Sequence, residues 1–385
     1  MKAVYLKKYG ISLVVIVKNE AERIFDFLSH HKPLVKEMIV LDTGSTDNTV
    51  ALAESAGAAV HHFTWCDDFS AARNAAALLA KNKWILCIDA DERIAARDFN
   101  AVRRATQHKD CVYVMPQRNY YDNPQHPEWV PVDGEYPVEE GAHSGYFKAF
   151  NTKFYARRKE LKFEGRVHES LVSSAKKLNL PIVKLNIPIH HYGYVISDAH
   201  NNDRDTRYGK LLKQKMTEHP NNIQAMEEYA THLVQVKSID EALPILETLD
   251  DQPNTNSNIT RARILLGTIR VAKNDIQGAA AVFQRAIVND PESIFPYVEL
   301  LKLLAGQRQF DQMKEVLDTA LNKFGEAPQL LREQSRYLIE TRQIHQAAKV
   351  TRKVAERYPS IPEYAHLADK CEALSKKVRE METQP

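Results

Sequence analysis

The chain has 385 residues, 44% of them hydrophobic, and its 26% of charged residues leave a formal net charge of only +2. That length asks for two domains, and the balanced charge excludes the basic surface of a nucleic-acid binder. Glycines (13) and prolines (17) are too few for a linker-rich or disordered protein.

Lys2, Lys7 and Lys8 precede the apolar run Ile11–Val17, but that run breaks at once into Lys18-Asn19-Glu20. No small-residue cleavage site follows, so it reads as a buried strand rather than a signal peptide. No stretch approaches the roughly 20 apolar residues of a membrane span. Cys66, Cys87, Cys111 and Cys371 form no C-x-x-C pair. Reduced thiols in a cytoplasmic protein are the expectation.

Short apolar runs alternate with amphipathic stretches up to about Met115. Strands are predicted at Ile11–Val17, Met38–Leu41, Ala59–Phe63, Trp84–Ile88 and Cys111–Met115. Helices are predicted between them, at Glu20–His31, Asp47–Ala56, Phe69–Ala80 and Asp98–Gln107. The alternation calls for an α/β domain with a mostly parallel sheet and helices on both faces. Runs without internal alternation fit strands buried on both sides, and such sheets bind ligands beyond their carboxyl ends. From Pro116 to His143 periodicity is lost, which reads as a long functional loop, an active-site flap or acceptor-contacting insertion. Strand-like segments return at Tyr146–Phe150 and Ile182–Ile187.

From Ile223 on, every apolar stretch has helical spacing. Pro291 and Pro359 lie two tetratricopeptide periods of about 34 residues apart. Leu266, Gly267, Ala279, Phe283, Ala286 and Pro291 fall on that repeat's signature positions, and 220–253 is a first unit with a poor signature. Small residues at paired positions let helices approach closely, as a stacked array requires; a plain helical bundle is the competing reading.

Three strand ends carry polar clusters. The fourth strand ends in Asp89-Ala90-Asp91-Glu92, and carboxylates at i and i+2 on an extended or turning backbone can face one site. With phosphate oxygens they suit Mg²⁺ or Mn²⁺; helix capping is the alternative. The second strand ends in Asp42-Thr43-Gly44-Ser45-Thr46-Asp47, where Asp47 reads as a cap, and the first in Lys18-Asn19-Glu20. Trp65 and Phe69 read as core, and the Tyr120-Tyr121 pair and Trp129 read as core or as sugar contacts.

These motifs in order, with Phe69-Ser-Ala-Ala-Arg73-Asn74, resemble the family 2 glycosyltransferases of the GT-A fold over about residues 10–195. Phe163-Glu164-Gly165-Arg166-Val167-His168-Glu169 and His190-His191-Tyr192-Gly193-Tyr194 resemble the branch in which tetratricopeptide-like repeats follow the transferase domain. That branch includes the sublancin-type peptide S-glycosyltransferases, which modify cysteine in bacteriocin precursors. The resemblance implies a GT-A nucleotide-sugar-binding domain over 1–205 and an all-α repeat domain over 206–385. It implies an inverting, metal-dependent transfer of a hexose from a UDP-sugar. Asn19, Glu20 and Asp42 would contact the nucleotide, and Asp89 the ribose or sugar; Asp91 would bind Mg²⁺ or Mn²⁺. Arg73 lies near the donor or in a surface salt bridge. Inversion needs a base for the acceptor proton, and a carboxylate in a partly dry pocket suits it. Glu169 is the choice, ahead of Glu164 and Glu140, which nothing nearby in the sequence orients, while His168 is a candidate to position it. His191 would complete the metal site. The acceptor reads as a peptide or protein, with a glycan of the cell envelope or flagellum as the alternative and a non-catalytic repeat scaffold as the minor one. Homodimerisation through the repeats is a further expectation.

Overall fold

The computed structural model describes residues 10–123, 129–193, 201–253, 256–358 and 362–382, with the backbone alone at 201–205, 207, 362, 381 and 382. Lys2, Lys7, Lys8, Tyr194 and Pro359, used above, lie outside the described residues. The chain forms two compact units, Met1–Lys215 and Met216–Pro385.

The first unit runs β1 (Ile11–Val17), α1 (Ile24–His31), β2 (Glu37–Asp42), α2 (Thr49–Ser55), β3 (Ala59–His62), α3 (Phe69–Leu79), β4 (Trp84–Cys87) and β5 (Glu92–Ile94). It continues through a 3₁₀ turn at Ala96–Asp98, then α4 (Phe99–Ala105), β6 (Val112–Tyr120), β7 (Trp129–Pro131), α5 (Pro137–Glu140) and β8 (Gly145–Ala156). α6 (Val172–Lys177), β9 (Ile182–Lys184), β10 (Ile189–His191) and α7 (Asn201–Glu218) follow, α7 running past the end of the unit. The sheet order is β3-β2-β1-β4-β8-β6-β10-β5, with β7 on β8 and β9 on β6.

β3-β2-β1-β4 is a continuous parallel block. β8 then runs antiparallel to both β4 and β6, so the sheet is more mixed than the strand–helix alternation suggested. The register pairs Val17 with Asp42 and Val14 with Cys87. The segments after β1, β2 and β4 therefore leave the sheet at one edge.

The apolar runs split by parity, as strand geometry requires. Leu13, Val15 and Val17 of β1 pack with Ile24, Phe27 and Leu28 of α1 in one core. Val14, with Ile85 and Cys87 of β4, packs against Ala72 and Ala76 of α3 in the other. In the first core His31 is fully buried, its Nδ1 2.8 Å from the Phe27 carbonyl oxygen and its Nε2 accepting from the Ile94 amide at 3.3 Å.

The segment read as one long loop from Pro116 instead contains strand and helix among its described residues. β6 continues to Tyr120, β7 adds to β8, and α5 follows. Periodicity fails there because β6 exchanges core contacts for buried polar ones at Gln117, Arg118 and Asn119. Trp129 is buried against Gly145, where a Cβ would meet its ring at 2.1 Å.

The second unit comprises α8 (Ile223–Gln235), α9 (Ile239–Asp250), α10 (Ser257–Ala272), α11 (Ile276–Asn289), α12 (Phe295–Gly306) and α13 (Phe310–Phe324). α14 (Pro328–Glu340), α15 (Ile344–Arg357) and α16 (Pro362–Glu382) complete it. Successive helices pair, and the first helix of each pair packs on the first helix of the next, the contact pattern of tetratricopeptide-like repeats. α11, α13 and α15 begin at Ile276, Phe310 and Ile344, a period of about 34 residues. Within each pair the turn has a residue of positive φ at the equivalent place, Lys237, Asn274, Arg308 and Arg342. The amide after it bonds back to the carbonyls of Leu233, Arg270, Leu304 and Leu338, closing each first helix with a Schellman bond. The pair α8–α9 has this geometry despite its poor signature. Asp250 at its end is buried under Arg263, whose Nε donates at 2.8 Å, and Arg285.

Gly267 sets how closely α10 meets α11. A Cβ there would lie 2.3 Å from Cε1 of Phe283, which is itself buried. Gly267→Ala is expected to lose about 1–3 kcal/mol by overpacking, more than the roughly 1 kcal/mol that alanine adds to a helix. Urea unfolding followed by circular dichroism checks this. Phe283→Leu in the same chain should recover part of the loss, and an unshifted midpoint in Gly267→Ala would refute the packing account.

Candidate functional site

The two loops leaving β1 and β2 are built into each other. Asn19 has a positive φ of 57°, accepts the Thr46 amide on Oδ1 at 2.8 Å, and donates its own amide to Ser45 Oγ at 2.9 Å. The Glu20 amide donates to Thr49 Oγ1 at 2.7 Å. The cap position of α2 is Asn48, with no side-chain capping bond, and Asp47 instead ties the two loops together by accepting the amides of Ala21 and Thr49 at 3.2 and 3.0 Å. Asp42 is buried and accepts the amides of Gly44 and Ser45 at 3.2 and 3.1 Å. Burial works against its charge, but the Ser45 and Gly44 hydrogen bonds outweigh it and hold its carboxyl below the usual range. Asn19 and Asp42 thus shape the edge of the sheet through bonds of their own.

The next cluster grows from α3. Asp68 caps this helix by accepting the Ala71 amide at 3.0 Å. Arg73 lies on its buried face between Ala72 and Ala76. Cys87 of β4 points toward α3, and Asp89, two residues on, follows it. Arg73 donates Nη2 to Asp89 Oδ1 at 2.7 Å, Nη1 to Cys87 Sγ at 3.6 Å, and Nε to Glu169 Oε1. Arg73 therefore spends its guanidinium inside the protein and is no surface salt bridge. Burial opposes its charge, yet Asp89 and Glu169 hold its pKa well above the ordinary value.

Lys153 of β8 completes the cluster. Its Nζ donates to Asp89 Oδ2 at 2.6 Å and to both oxygens of Glu92 at 2.8 Å. Gln117 Nε2 donates to Glu92 Oε1 at 2.9 Å, and Asn151 donates to Gln117. Burial would raise Asp89, but Arg73 and Lys153 hold it far below the carboxylate range; burial raises Glu92, with Lys153 opposing. Neither aspartate of the pair caps a helix. The chain turns at Ala90–Asp91, the Glu92 amide bonding the Asp89 carbonyl at 3.0 Å, and enters β5. The turn gives the two carboxylates different partners.

Asp91 faces His191. β10 runs parallel to β6 and pairs His191 with Asn119, whose Oδ1 lies 2.7 Å from His191 Nδ1. Asn119 Nδ2 donates to the Phe147 carbonyl at 3.4 Å, which fixes the amide with its oxygen toward the ring. Nδ1 therefore donates to Asn119, and Nε2 faces Asp91 Oδ2 at 3.4 Å, donating to it when the ring is protonated. Burial alone would lower the His191 pKa, but the hydrogen bond and charge of Asp91 outweigh it and hold it high. Burial, then the charge of Asp91, pushes Glu20 up. A Cβ on Gly193 would sit 2.5 Å from Asp91 Oδ2 and 2.6 Å from His191 Nε2, so the glycine keeps open the space those two atoms address. An oriented imidazole and a carboxylate about one small gap suit a divalent cation. Among the described residues no group of three or more His, Cys, Asp or Glu is placed to hold a metal, so further ligands would come from elsewhere.

Glu169 ends a loop closed by the reciprocal amide–carbonyl bonds of Glu164 and Ser170, at 3.0 and 3.1 Å. Asn74 of α3 grips its start, donating to the Phe163 carbonyl at 3.0 Å and accepting its amide at 2.8 Å. Lys215 of α7 donates to the Val167 carbonyl at 2.9 Å. His168 is exposed and sets its ring edge against Tyr208, 6.0 Å away, so Arg73 rather than His168 orients Glu169. Glu140 and Glu164 are not unoriented, contrary to expectation. Glu140 is buried and accepts from Arg118 at 3.0 Å and the Gly134 amide at 2.9 Å, and Lys177 pairs with Glu164 at 2.7 Å.

Trp65 and Phe69 meet edge to face at 4.8 Å, in keeping with a packing role. Lys153, Gln117 and Asn119 are the residues of the site that sequence reading missed. The available signal was a lysine at an inward position of a strand otherwise filled by Phe154 and Tyr155.

A family model described as Glycosyl transferase family 2 matches residues 12–163. The chain is 31% identical over 231 residues to a TPR repeat-containing protein of Synechococcus elongatus, covering 58% of this chain and 52% of that one. It is 24% identical over 275 residues to the SPbeta prophage-derived glycosyltransferase SunS of Bacillus subtilis, covering 69% of this chain and 60% of that one. The chain thus spans between half and two thirds of these relatives. Among solved structures, a thermophilic TPR protein of Thermus thermophilus aligns with a TM-score of 0.36 at 15% identity, over 44% of this chain and 92% of that one.

His190, beside His191 on β10, points to the opposite face, is fully buried, and meets the Tyr120 hydroxyl through Nδ1 at 2.8 Å. Burial, helped by Arg118, Arg97 and Arg93, lowers its pKa from 6.5 to about 3; burial does the same to His31. Both are neutral when folded and take up protons more readily when unfolded. Between those two values the unfolded chain binds more protons, so stability is lost as pH falls below about 6.5. Each histidine contributes up to about 1.4 kcal/mol per pH unit. Thermal melts from about pH 7 to about pH 5 should move steeply downward. His31→Gln, which keeps one donor and one acceptor, should flatten that slope; an equal slope in the variant would contradict the assignment.

Proposed function

We propose that the first unit, whose residues 12–163 match the Glycosyl transferase family 2 model, makes the protein a glycosyltransferase that moves a hexose from a UDP-sugar to a peptide or protein, inverting the anomeric centre and using a divalent cation. The observation that carries the reading is the pairing of Asp91 with His191 at 3.4 Å around the space kept open by Gly193, on the same sheet edge as Asp42 and Asn19. We take the transferase module as 1–205 and the recognition module as 206–385.

Asp91 and His191 are the residues that would hold Mg²⁺ or Mn²⁺, with Asn119 keeping the imidazole in the ligating tautomer. The cation, when bound, neutralises the leaving diphosphate. Asn19, Glu20 and Asp42 contact the nucleotide and Asp89 the ribose or sugar. Glu169 takes the acceptor proton as the acceptor attacks the anomeric carbon from the face opposite the diphosphate. Arg73 holds that carboxylate in register with Asp89. A partly dry setting favours such a base. The helical pairs supply an extended surface of the kind repeat arrays use for chain-like ligands, which supports a peptide or protein acceptor. A cysteine thiol of a bacteriocin-type precursor is the acceptor to test first, its low pKa making little demand on the base. Buried Cys87, Cys111 and Cys371 fit a reducing, cytoplasmic setting, and self-association through the repeats is part of the same proposal.

Incubation of the full chain with Mn²⁺ or Mg²⁺ and a panel of UDP-sugars should release UDP slowly and only with the cation present. Asp91→Asn should abolish this release. Asn119→Ala should weaken cation affinity about 10- to 100-fold. Intact mass of cysteine-bearing peptides added to the reaction reports acceptor and sugar together. Full activity in Asp91→Asn, or no binding of UDP by the wild-type protein, would sink the proposal.

A further inference from the structure

The cluster under Asp89 holds three carboxylates, Asp89, Glu92 and Glu169, against two cations, Arg73 and Lys153. Lys153 is buried to 13% side-chain exposure, so its contacts are not those of a solvated surface pair. An ammonium group has three donors, and the three carboxylate oxygens it reaches, at 2.6, 2.8 and 2.8 Å, account for all of them. Glu92 is oriented in turn by the Asp89 amide at 2.8 Å and by Gln117 at 2.9 Å. Asp89 therefore has one oxygen on Arg73 and the other on Lys153.

We propose that Lys153 is a positioning residue of the transfer reaction, one that fixes the donor-side carboxylate of Asp89 and so leaves Arg73 able to hold Glu169. The inference rests on the glycosyltransferase reading above and adds a residue to it. Without Lys153, Asp89 has Arg73 as its remaining partner of the two. To close on both oxygens of Asp89 the guanidinium must turn Nη1 away from Cys87, and that rotation moves Nε from its place against Glu169. Donor-side and acceptor-side carboxylates then lose their common frame, and a shift of about 1 Å at a reacting group can cost on the order of 100-fold in rate. The clamp also commits both oxygens of Asp89, which leaves cation binding to Asp91 and His191.

A staple holding β8 to the β4–β5 turn is the competing role, and the two separate by charge bookkeeping. Lys153→Met alone strands a buried carboxylate and is expected to lower stability sharply. Lys153→Met with Glu92→Gln removes one positive and one negative charge together, restoring the melting temperature but not the second partner of Asp89. The expected result is a folded double variant whose UDP-sugar turnover falls on the order of 100-fold in kcat, with its affinity for UDP, read by calorimetry, changed much less. Lys153→Arg keeps the charge but not the three-point geometry and should lose about tenfold. Wild-type turnover in either folded variant overturns the inference and leaves Lys153 a staple. A wild-type protein that neither binds UDP nor turns over any UDP-sugar overturns the reading beneath it, and this inference with it.

Discussion

The site depends on one constraint: Arg73 is a buried cation that must be surrounded by anions. Removing a charge from water costs several kcal/mol unless partners repay it, and Asp89 and Glu169 are the partners at hand. The requirement shapes the local sequence. Ala72 and Ala76 flank Arg73 on α3 and let the helix sit close to the sheet. Phe163 offers its ring 5.9 Å from the guanidinium, and Asn74, the next residue of α3, pins the loop that brings Glu169. The run Phe69-Ser-Ala-Ala-Arg73-Asn74 is therefore a unit: small residues for approach, arginine for charge, asparagine for the loop.

The same economy of position divides neighbouring residues elsewhere. His190 and His191 are consecutive on β10 and face opposite ways, as strand geometry dictates. His190 meets Tyr120 in the interior, where burial keeps it neutral, while His191 meets Asp91, whose charge holds its pKa high. Asp89 and Asp91 part for a different reason, because the chain turns between them before β5. One carboxylate is committed to cations supplied by the protein. The other is set beside an imidazole whose far nitrogen is already hydrogen-bonded, the arrangement that orients a metal-binding histidine.

Much of this edge is legible in the sequence, and the physical reason is local. A strand buried on both faces writes an uninterrupted apolar run, and the first polar residue after it marks the edge; Asn19, Asp42 and Asp89 are found this way. Lys153, Gln117 and Asn119 are not, because their meaning depends on β8 lying antiparallel between β4 and β6, with β10 on the far side of β6. That pairing is long-range, and the polar stretch after Pro116 hides it, since a strand whose face lines a polar site has no apolar alternation to show. The orientation of Glu169 fails for a related reason. Its sequence neighbour His168 looked like the positioning group, whereas the group in contact comes from a helix nearly a hundred residues earlier in the chain.

The second unit shows the complementary case, in which geometry persists where side-chain signature fades. Tetratricopeptide-type pairs are recognised by small residues at the close approach of two helices, and Gly267 against Phe283 satisfies that rule well. The pair α8–α9 has the buried small residues Ala230 and Ala242 but carries Pro244 inside its second helix. Yet Lys237 adopts the same left-handed turn as Asn274, Arg308 and Arg342, with the same backbone bond closing the helix before it. Glycine, the residue that tolerates this conformation at no steric cost, occurs at none of the four. At Lys237, Arg308 and Arg342, backbone hydrogen bonds and the stacking of neighbours therefore enforce the turn against residue preference. In a stacked array the repeat is a property of the interface between pairs, and a weak pair is held in register by the stronger one beside it.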